Sequence, residues 1–176
     1  IGLKVWKKML KIIITGPEST GKTTLCKYVS KYYKTSLVQE YAREYIDNLN
    51  KEYKKEDLLI IAKEQYSLEN IQKKILICDT DLITIKIWSE YKYGECDRSI
   101  LELIKLQKNE NRFYLLCKDD IPWSFDNQRE NSENRDLIFN LYKKTLDNLA
   151  YNYIVIKGSK REEIAISSIN NLISSN

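Results

Sequence analysis

The chain has 176 residues, 43% of them hydrophobic and 31% charged, and carries a net charge of +4. That length suits one domain with a full core, that balance suits a soluble globular protein, and no apolar run approaches a membrane span. Histidine is absent, which removes Ser-His-Asp triads and the common zinc sites.

The basic start "KVWKKMLK" reads as a solvated lead-in rather than a nucleic-acid patch. Residues 1–9 are therefore expected to be an N-terminal extension, and 10–176 a single domain. Cys26, Cys78, Cys96 and Cys117 form no C-x-x-C pair. They read as thiols of a reducing compartment, so a cytoplasmic location without membrane or nucleic-acid partners is expected.

A first strand is predicted at about Lys11–Thr15, followed by G-x-x-x-x-G-K-T from Gly16 to Thr23. This is the Walker A pattern, and two of only five glycines fall in it. A loop wrapping a polyphosphate needs glycine's torsions and its close backbone approach. The main chain of Gly16, Pro17, Glu18, Ser19, Thr20 and Gly21 would form an anion nest, and Thr24 continues it into a helix whose positive end faces the phosphates. Lys22 would reach the β- and γ-phosphates of ATP, and the Thr23 hydroxyl would hold Mg²⁺.

That helix places Leu25, Tyr28, Val29 and Tyr32 at helical spacing. A short strand at Ser36–Val38 leads into "QEYAREYI". Glu40 and Arg43 are three apart, so a helical start puts both on one side. The carboxylate would accept a proton from an attacking hydroxyl and the arginine would orient substrate, unless the two are only a surface ion pair. The charged run "NKEYKKED" enters a helix with Leu58, Ile61, Ala62 and Leu68 on one face. Gln65 lies within that face, and its amide needs partners, either core groups or a ligand.

"ILICD", Ile75–Asp79, is a buried strand ending in a carboxylate at the position of a Walker B acid, a second ligand for Mg²⁺. Asp81 reads equally as a helix cap or a site residue. "LITIKIW" fits either a strand or a helix. A helix from about Ser99, the strand "RFYLLC", a helix from about Glu133 to Leu149, the strand "YIVIK" and a last helix complete the chain. Alternation of this kind implies an α/β fold with a parallel sheet. The polar stretch of about 118–135 holds Trp123, Arg129 and Arg135, as a lid that carries arginines to transferring phosphates would.

"GPESTGKTTL", "EYAREY", "IAKEQ", "DTDLITIKIW" and "DIPWSFDNQR" together resemble the P-loop nicotinamide riboside kinase domain of NadR-type proteins, a family also grouped with AAA ATPases. The resemblance runs from about Leu10 to the C-terminus. It implies a nucleoside-kinase-like three-layer sandwich with strand order 2-3-1-4-5 and a lid before the fifth strand. It implies transfer of the ATP γ-phosphate to the 5′-hydroxyl of nicotinamide riboside, a small-molecule nucleoside. On that model Glu40 or Asp79 lies nearest the acceptor hydroxyl, and Tyr41, Arg43, Gln65 and Asp81 border the substrate. Trp123 would stack on the pyridinium ring. Arg129 and Arg135 would be lid residues, while Gly158 and Arg161 of "KGSKR" would border adenine.

One departure is "DNQR", where the family pattern leads us to expect a glycine between Asp126 and Arg129. With no histidine and no room for a second domain, adenylyl transfer is not expected. A GTPase switch is disfavoured because "CKDD" and "DTDL" lack the first residue of N/T-K-x-D and the glycine of D-x-x-G. A regulatory ATPase and a kinase for another nucleoside stay open as alternatives.

Overall fold

The computed structural model describes residues 8–124, 128 and 133–175. Five parallel strands form one sheet: β1 (Leu10–Thr15), β2 (Leu37–Val38), β3 (Ile75–Asp79), β4 (Asn111–Cys117) and β5 (Asn152–Ile156). Their order is β2-β3-β1-β4-β5, as the resemblance implies. The strand before the Walker A loop is thus central, paired with β3 through Ile14↔Asp79 and with β4 through Thr15↔Leu116. Those registers bring the phosphate loop and Asp79 to the same edge, where ligands of parallel sheets collect.

The strands read as nearly continuous apolar runs because both faces are covered. Ile12, Ile14, Ile77, Leu115 and Cys117 face α1 (Lys22–Tyr32) and α7 (Arg161–Ser174). Ile13, Leu76, Cys78, Tyr114 and Leu116 face the opposite layer. That layer contains α2 (Tyr41–Asn48), α3 (Lys55–Leu68), α4 (Leu82–Tyr93), α5 (Arg98–Gln107) and α6 (Arg135–Asn148). Side chains alternate across each strand, so a continuous run feeds two cores at once.

The ambiguous "LITIKIW" is helix, capped by Asp81, whose carboxylate accepts from Ile83 N–H, and ended by Gly94 at φ 77. Its strand-like alternation arises because Leu82, Ile83, Ile85 and Ile87 are all buried, on more than one side of the helix. Two helical faces differ from expectation. In α1 the buried set is Leu25, Cys26 and Val29, whereas Tyr28 and Tyr32 lie outside. In α3 Gln65 lies in the buried stripe with Leu58, Ile61 and Ala62, as expected, but Leu68 is exposed.

Beneath the sheet lies a buried ionic group. Arg112 Nη1 donates to Asp81 Oδ2 at 3.0 Å, and its Nη2 pairs with Glu69 and with Glu110. Lys11 Nζ donates to Glu69 at 3.1 Å and to Glu110 at 2.9 Å. These charges are paired within the core, as desolvation requires.

Candidate active site

The phosphate loop leaves β1 at Thr15 and must cross the end of β4. Gly16 has φ +137, and a Cβ there would lie 2.6 Å from the Cys117 carbonyl oxygen. Only glycine fits so close a passage. Thr20 Oγ1 donates to the Pro17 carbonyl at 2.7 Å, closing the loop on itself, and Gly21 turns it into α1 at φ +77. Lys22 Nζ donates to the same Pro17 carbonyl at 2.6 Å, which draws the ammonium over the loop. The first turn of α1 has neither a side-chain cap nor an acidic residue. Its N–H groups and positive dipole end therefore remain available to an anion.

Asp79 ends β3 beside this loop. Thr80 follows it at φ 66, an unusual conformation for a β-branched residue. Its N–H is held by the Ile14 carbonyl at 2.9 Å. Across this kink Asp79 meets the phosphate loop while Asp81 enters the core. Thr23 Oγ1 donates to Asp79 Oδ2 at 2.8 Å. Asp79 Oδ1 is buried and has no hydrogen-bond partner among the described residues. Burial pushes the Asp79 carboxyl above its usual range, opposed by the Thr23 hydroxyl and the Lys22 charge.

A hydroxyl and an under-satisfied carboxylate at a phosphate site fit a hard divalent cation. Among the described residues no three His, Cys, Asp or Glu side chains cluster as a complete metal cage. Two protein oxygens would leave most of such a cation's shell to other donors.

The cleft continues past the loop between α2, α4 and α6. It is lined by Glu40, Arg43 and Ile46, by Thr84, Ile87, Trp88 and Tyr91, and by Ile138 and Tyr142. Glu40 is the N-cap residue of α2, yet its side chain makes no capping bond. Its carboxyl is raised by burial, with Lys22 and Arg43 opposing and Asp79 and Glu18 reinforcing the shift. Lys22 and Arg43 line the same cleft as Glu40. A hydroxyl relay forms the floor: Tyr142 donates to Thr84 Oγ1 at 3.1 Å, and Thr84 and Thr15 hydroxyls are 3.1 Å apart.

Other expected residues take different places. Gln65 is buried and bonds the backbone around Glu40: its Oε1 accepts from Tyr41 N–H at 2.8 Å and its Nε2 donates to the Gln39 carbonyl at 3.3 Å. Of the two readings of Gln65, core partners are the one realised. The Tyr41 ring packs against the core beside Tyr45 and is not on the cleft wall. Asp81 requires correction as a substrate residue. It is fully buried and committed to Ile83 N–H, Arg112 and the Tyr114 hydroxyl.

Trp123 is likewise absent from the cleft wall; its neighbour Ser124 donates N–H to Ser19 Oγ at 2.8 Å. Among the described residues the cleft's aromatic surface comes from Trp88, Tyr91 and Tyr142; the open strand-or-helix reading of "LITIKIW" had not directed Trp88 there. Apolar spacing alone did not mark Thr84 or Tyr142, because only the packing of α4 against α6 brings them together.

Arg135 and Arg161, the first residues of α6 and α7, hold the phosphate loop itself. Arg135 Nη1 donates to the Ser19 carbonyl at 3.1 Å and to the Ile121 carbonyl at 2.7 Å. Arg161 Nη1 donates to the Thr20 carbonyl at 2.8 Å, and its Nη2 to the Lys118 carbonyl at 2.9 Å and to Asp120. Gly158 N–H donates to Asp120 at 2.7 Å, tying the same corner. Arg129, Phe125 and Asp126 lie outside the described residues. Gln128, in the stretch where a glycine was expected, lines the cleft and donates to the Arg43 carbonyl at 3.2 Å and to Asp47.

A central strand running into a glycine-bounded anion loop, with a strand-end carboxylate on the loop threonine, defines a P-loop nucleotide-binding domain of the nucleoside-kinase-like fold. More narrowly, the chain belongs to the AAA domain family, whose model matches residues 11–163. It is similar to the "Trifunctional NAD biosynthesis/regulator protein NadR" of Salmonella typhimurium, with 26% identity over 158 residues, 83% of this chain and 38% of that protein. Its Escherichia coli counterpart is 27% identical over 128 residues, 67% of this chain and 30% of that protein. The chain thus spans well under half the length of these curated relatives.

Among solved structures, a NadR protein in complex with NR superposes with TM-score 0.72 at 19% identity, covering 93% of this chain and 51% of that one. Thymidylate kinase from Ehrlichia chaffeensis follows with TM-score 0.62 and 17% identity, covering 93% and 99%. At such identities the likeness is one of fold. No helix among the described residues is long and apolar enough to cross a membrane.

Proposed function

We propose that this chain is an ATP-dependent kinase that phosphorylates the 5′-hydroxyl of nicotinamide riboside, giving nicotinamide mononucleotide and ADP, in the cytoplasm. The observation that carries this reading is a carboxylate, Glu40, that lines one cleft with Lys22 and Thr23, the threonine whose hydroxyl bonds Asp79. An ATPase also needs a group to orient its water, so what favours an organic acceptor is the aromatic wall of Trp88 and Tyr91 in the same cleft as Glu40.

In this reading the loop N–H groups and Lys22 bind the triphosphate and neutralise its charge. Thr23 and Asp79 would hold Mg²⁺, which would offset phosphate charge there. Asp79 has one oxygen on Thr23 and the other available to the ion, so Glu40 is the acid left to take the acceptor proton. The acceptor oxygen then bonds to the γ-phosphorus, the bond from that phosphorus to the bridging oxygen breaks, and ADP leaves.

Arg43 orients the ribose side of the acceptor, and Trp88 and Tyr91 face its base. Aromatic faces suit a cationic pyridinium ring through cation–π attraction. The similarity to NadR, one of whose solved structures is a complex with NR, supports that choice of base.

The experiment is ADP release measured with a panel of nucleosides, nicotinamide riboside first. Release that depends on that nucleoside supports the proposal. Equal release with and without every acceptor assigns the chain to the ATPases, and dependence on another nucleoside moves the acceptor.

A further inference from the structure

The strand that delivers Glu40 to the cleft is very short. β2 is two residues long, and its pairing with β3 ends at Val38↔Cys78. Gln39, Glu40 and Tyr41 therefore leave the sheet without a strand beside them. A turn carrying a reacting group must still be fixed in direction, because small misplacements of that group are costly.

Gln65 supplies what the missing strand would. It comes from α3, is 1% exposed, and lies in the buried stripe with Leu58, Ile61 and Ala62. Its amide reads the backbone on both sides of Glu40, accepting from Tyr41 N–H and donating to the Gln39 carbonyl. These two partners fix the orientation of the amide, since one only donates and the other only accepts. The Tyr41 N–H is one of the open donors at the start of α2. With the α2 entrance held from behind and no capping bond on Glu40, that carboxylate is directed to the cleft instead of its own helix.

We propose that Gln65 is the positioning residue of the site, holding the Gln39–Tyr41 turn so that Glu40 faces the acceptor. This deepens the kinase reading above and rests on it for the role of Glu40. Neither carboxylate nor thioether can replace the amide: glutamate loses the donor, and methionine loses both bonds at similar volume.

The test compares Gln65→Met, Glu40→Gln and the double variant in nucleoside-dependent ADP release, and follows hydrogen exchange at the Tyr41 amide. Gln65→Met is expected to lower kcat by roughly 10- to 100-fold with KM for ATP nearly unchanged. The Tyr41 amide loses protection, and the double variant is no slower than Glu40→Gln alone. Undiminished Tyr41 protection overturns the inference, and so does a further loss in the double variant.

Wild-type rates in Glu40→Gln would sink the proton-acceptor reading instead, while Tyr41 protection still decides whether Gln65 holds the turn. If Gln65→Met does not fold, Gln65→Glu replaces it. That variant keeps the Tyr41 bond and loses the Gln39 bond, so a lowered kcat supports the inference and an unchanged kcat overturns it.

Discussion

Thr23 and Asp79 are joined by a 2.8 Å hydrogen bond, although 56 residues separate them in the chain. The bond ties the first turn of α1 to the end of β3 and leaves Asp79 Oδ1 without a hydrogen-bond partner among the described residues. Asp79→Asn keeps an acceptor for Thr23 but removes the charge. Turnover with Mg²⁺ should fall by roughly 100-fold or more, and Mg²⁺ should no longer tighten ATP binding. Calorimetric titration of a non-hydrolysable ATP analogue with and without Mg²⁺ checks this; an intact Mg²⁺ effect would move the ion elsewhere.

Glu40 links activity to stability with opposite signs. Burial raises its carboxyl, so the folded chain holds that proton to higher pH than the unfolded chain. Its stabilising contribution is full below the ordinary value of 4.5 and is lost as pH rises through the raised folded value. Glutamine does not titrate. Glu40→Gln should therefore gain stability over the parent as pH rises through that window, and lose phosphoryl transfer. Urea unfolding across that pH range tests the sign, and a gap that closes with rising pH would refute it.

Gly16→Ala should destabilise the fold by about 2–5 kcal/mol, combining a disfavoured torsion with overpacking against β4. The added Cβ would meet the Cys117 carbonyl oxygen at 2.6 Å, and backbone cannot step aside as a flexible side chain can. Urea unfolding gives the number, and a change below about 0.5 kcal/mol, the range of neutral surface substitutions, would mean the loop takes another path.

Arg112→Ala strips the shared cation from Glu69 and Asp81, both fully buried. Breaking a buried pair by removing one partner costs about 3–5 kcal/mol because the remaining charges stay desolvated. Arg112 lies outside the cleft wall, so KM for ATP of the folded fraction should be unchanged. A loss under about 1 kcal/mol would contradict this account of the network.

The residues that were legible in the sequence share one property: contiguity. The Walker A loop, the strand before it and "ILICD" each declare themselves within a few residues, and the resemblance supplied the strand order. Residues whose role depends on distant partners were not readable. Asp81 read equally as a helix cap or a site residue; it caps α4, and the positive φ of Thr80 sends it to surroundings different from those of Asp79. Trp88 and Tyr91 fitted a helix by spacing, but the strand-like alternation of Ile83, Ile85 and Ile87 before them, which comes from a helix buried on several sides, left their place in the cleft open. Arg135 and Arg161 were matched to phosphate and adenine, whereas each donates to a carbonyl of the loop itself. Gln128 lines the cleft and bonds the Arg43 carbonyl, a structural consequence of the departure from the family pattern that spacing could not show.

The central claim is that the γ-phosphate passes to a nucleoside hydroxyl rather than to water. Its most direct test is ³¹P NMR of the chain with ATP, Mg²⁺ and nicotinamide riboside, beside a Lys22→Ala control. The account predicts a new 5′-phosphomonoester signal growing in step with ADP, with almost none from the folded control. ADP accumulating with inorganic phosphate alone, at the same rate whether or not the nucleoside is present, would contradict it.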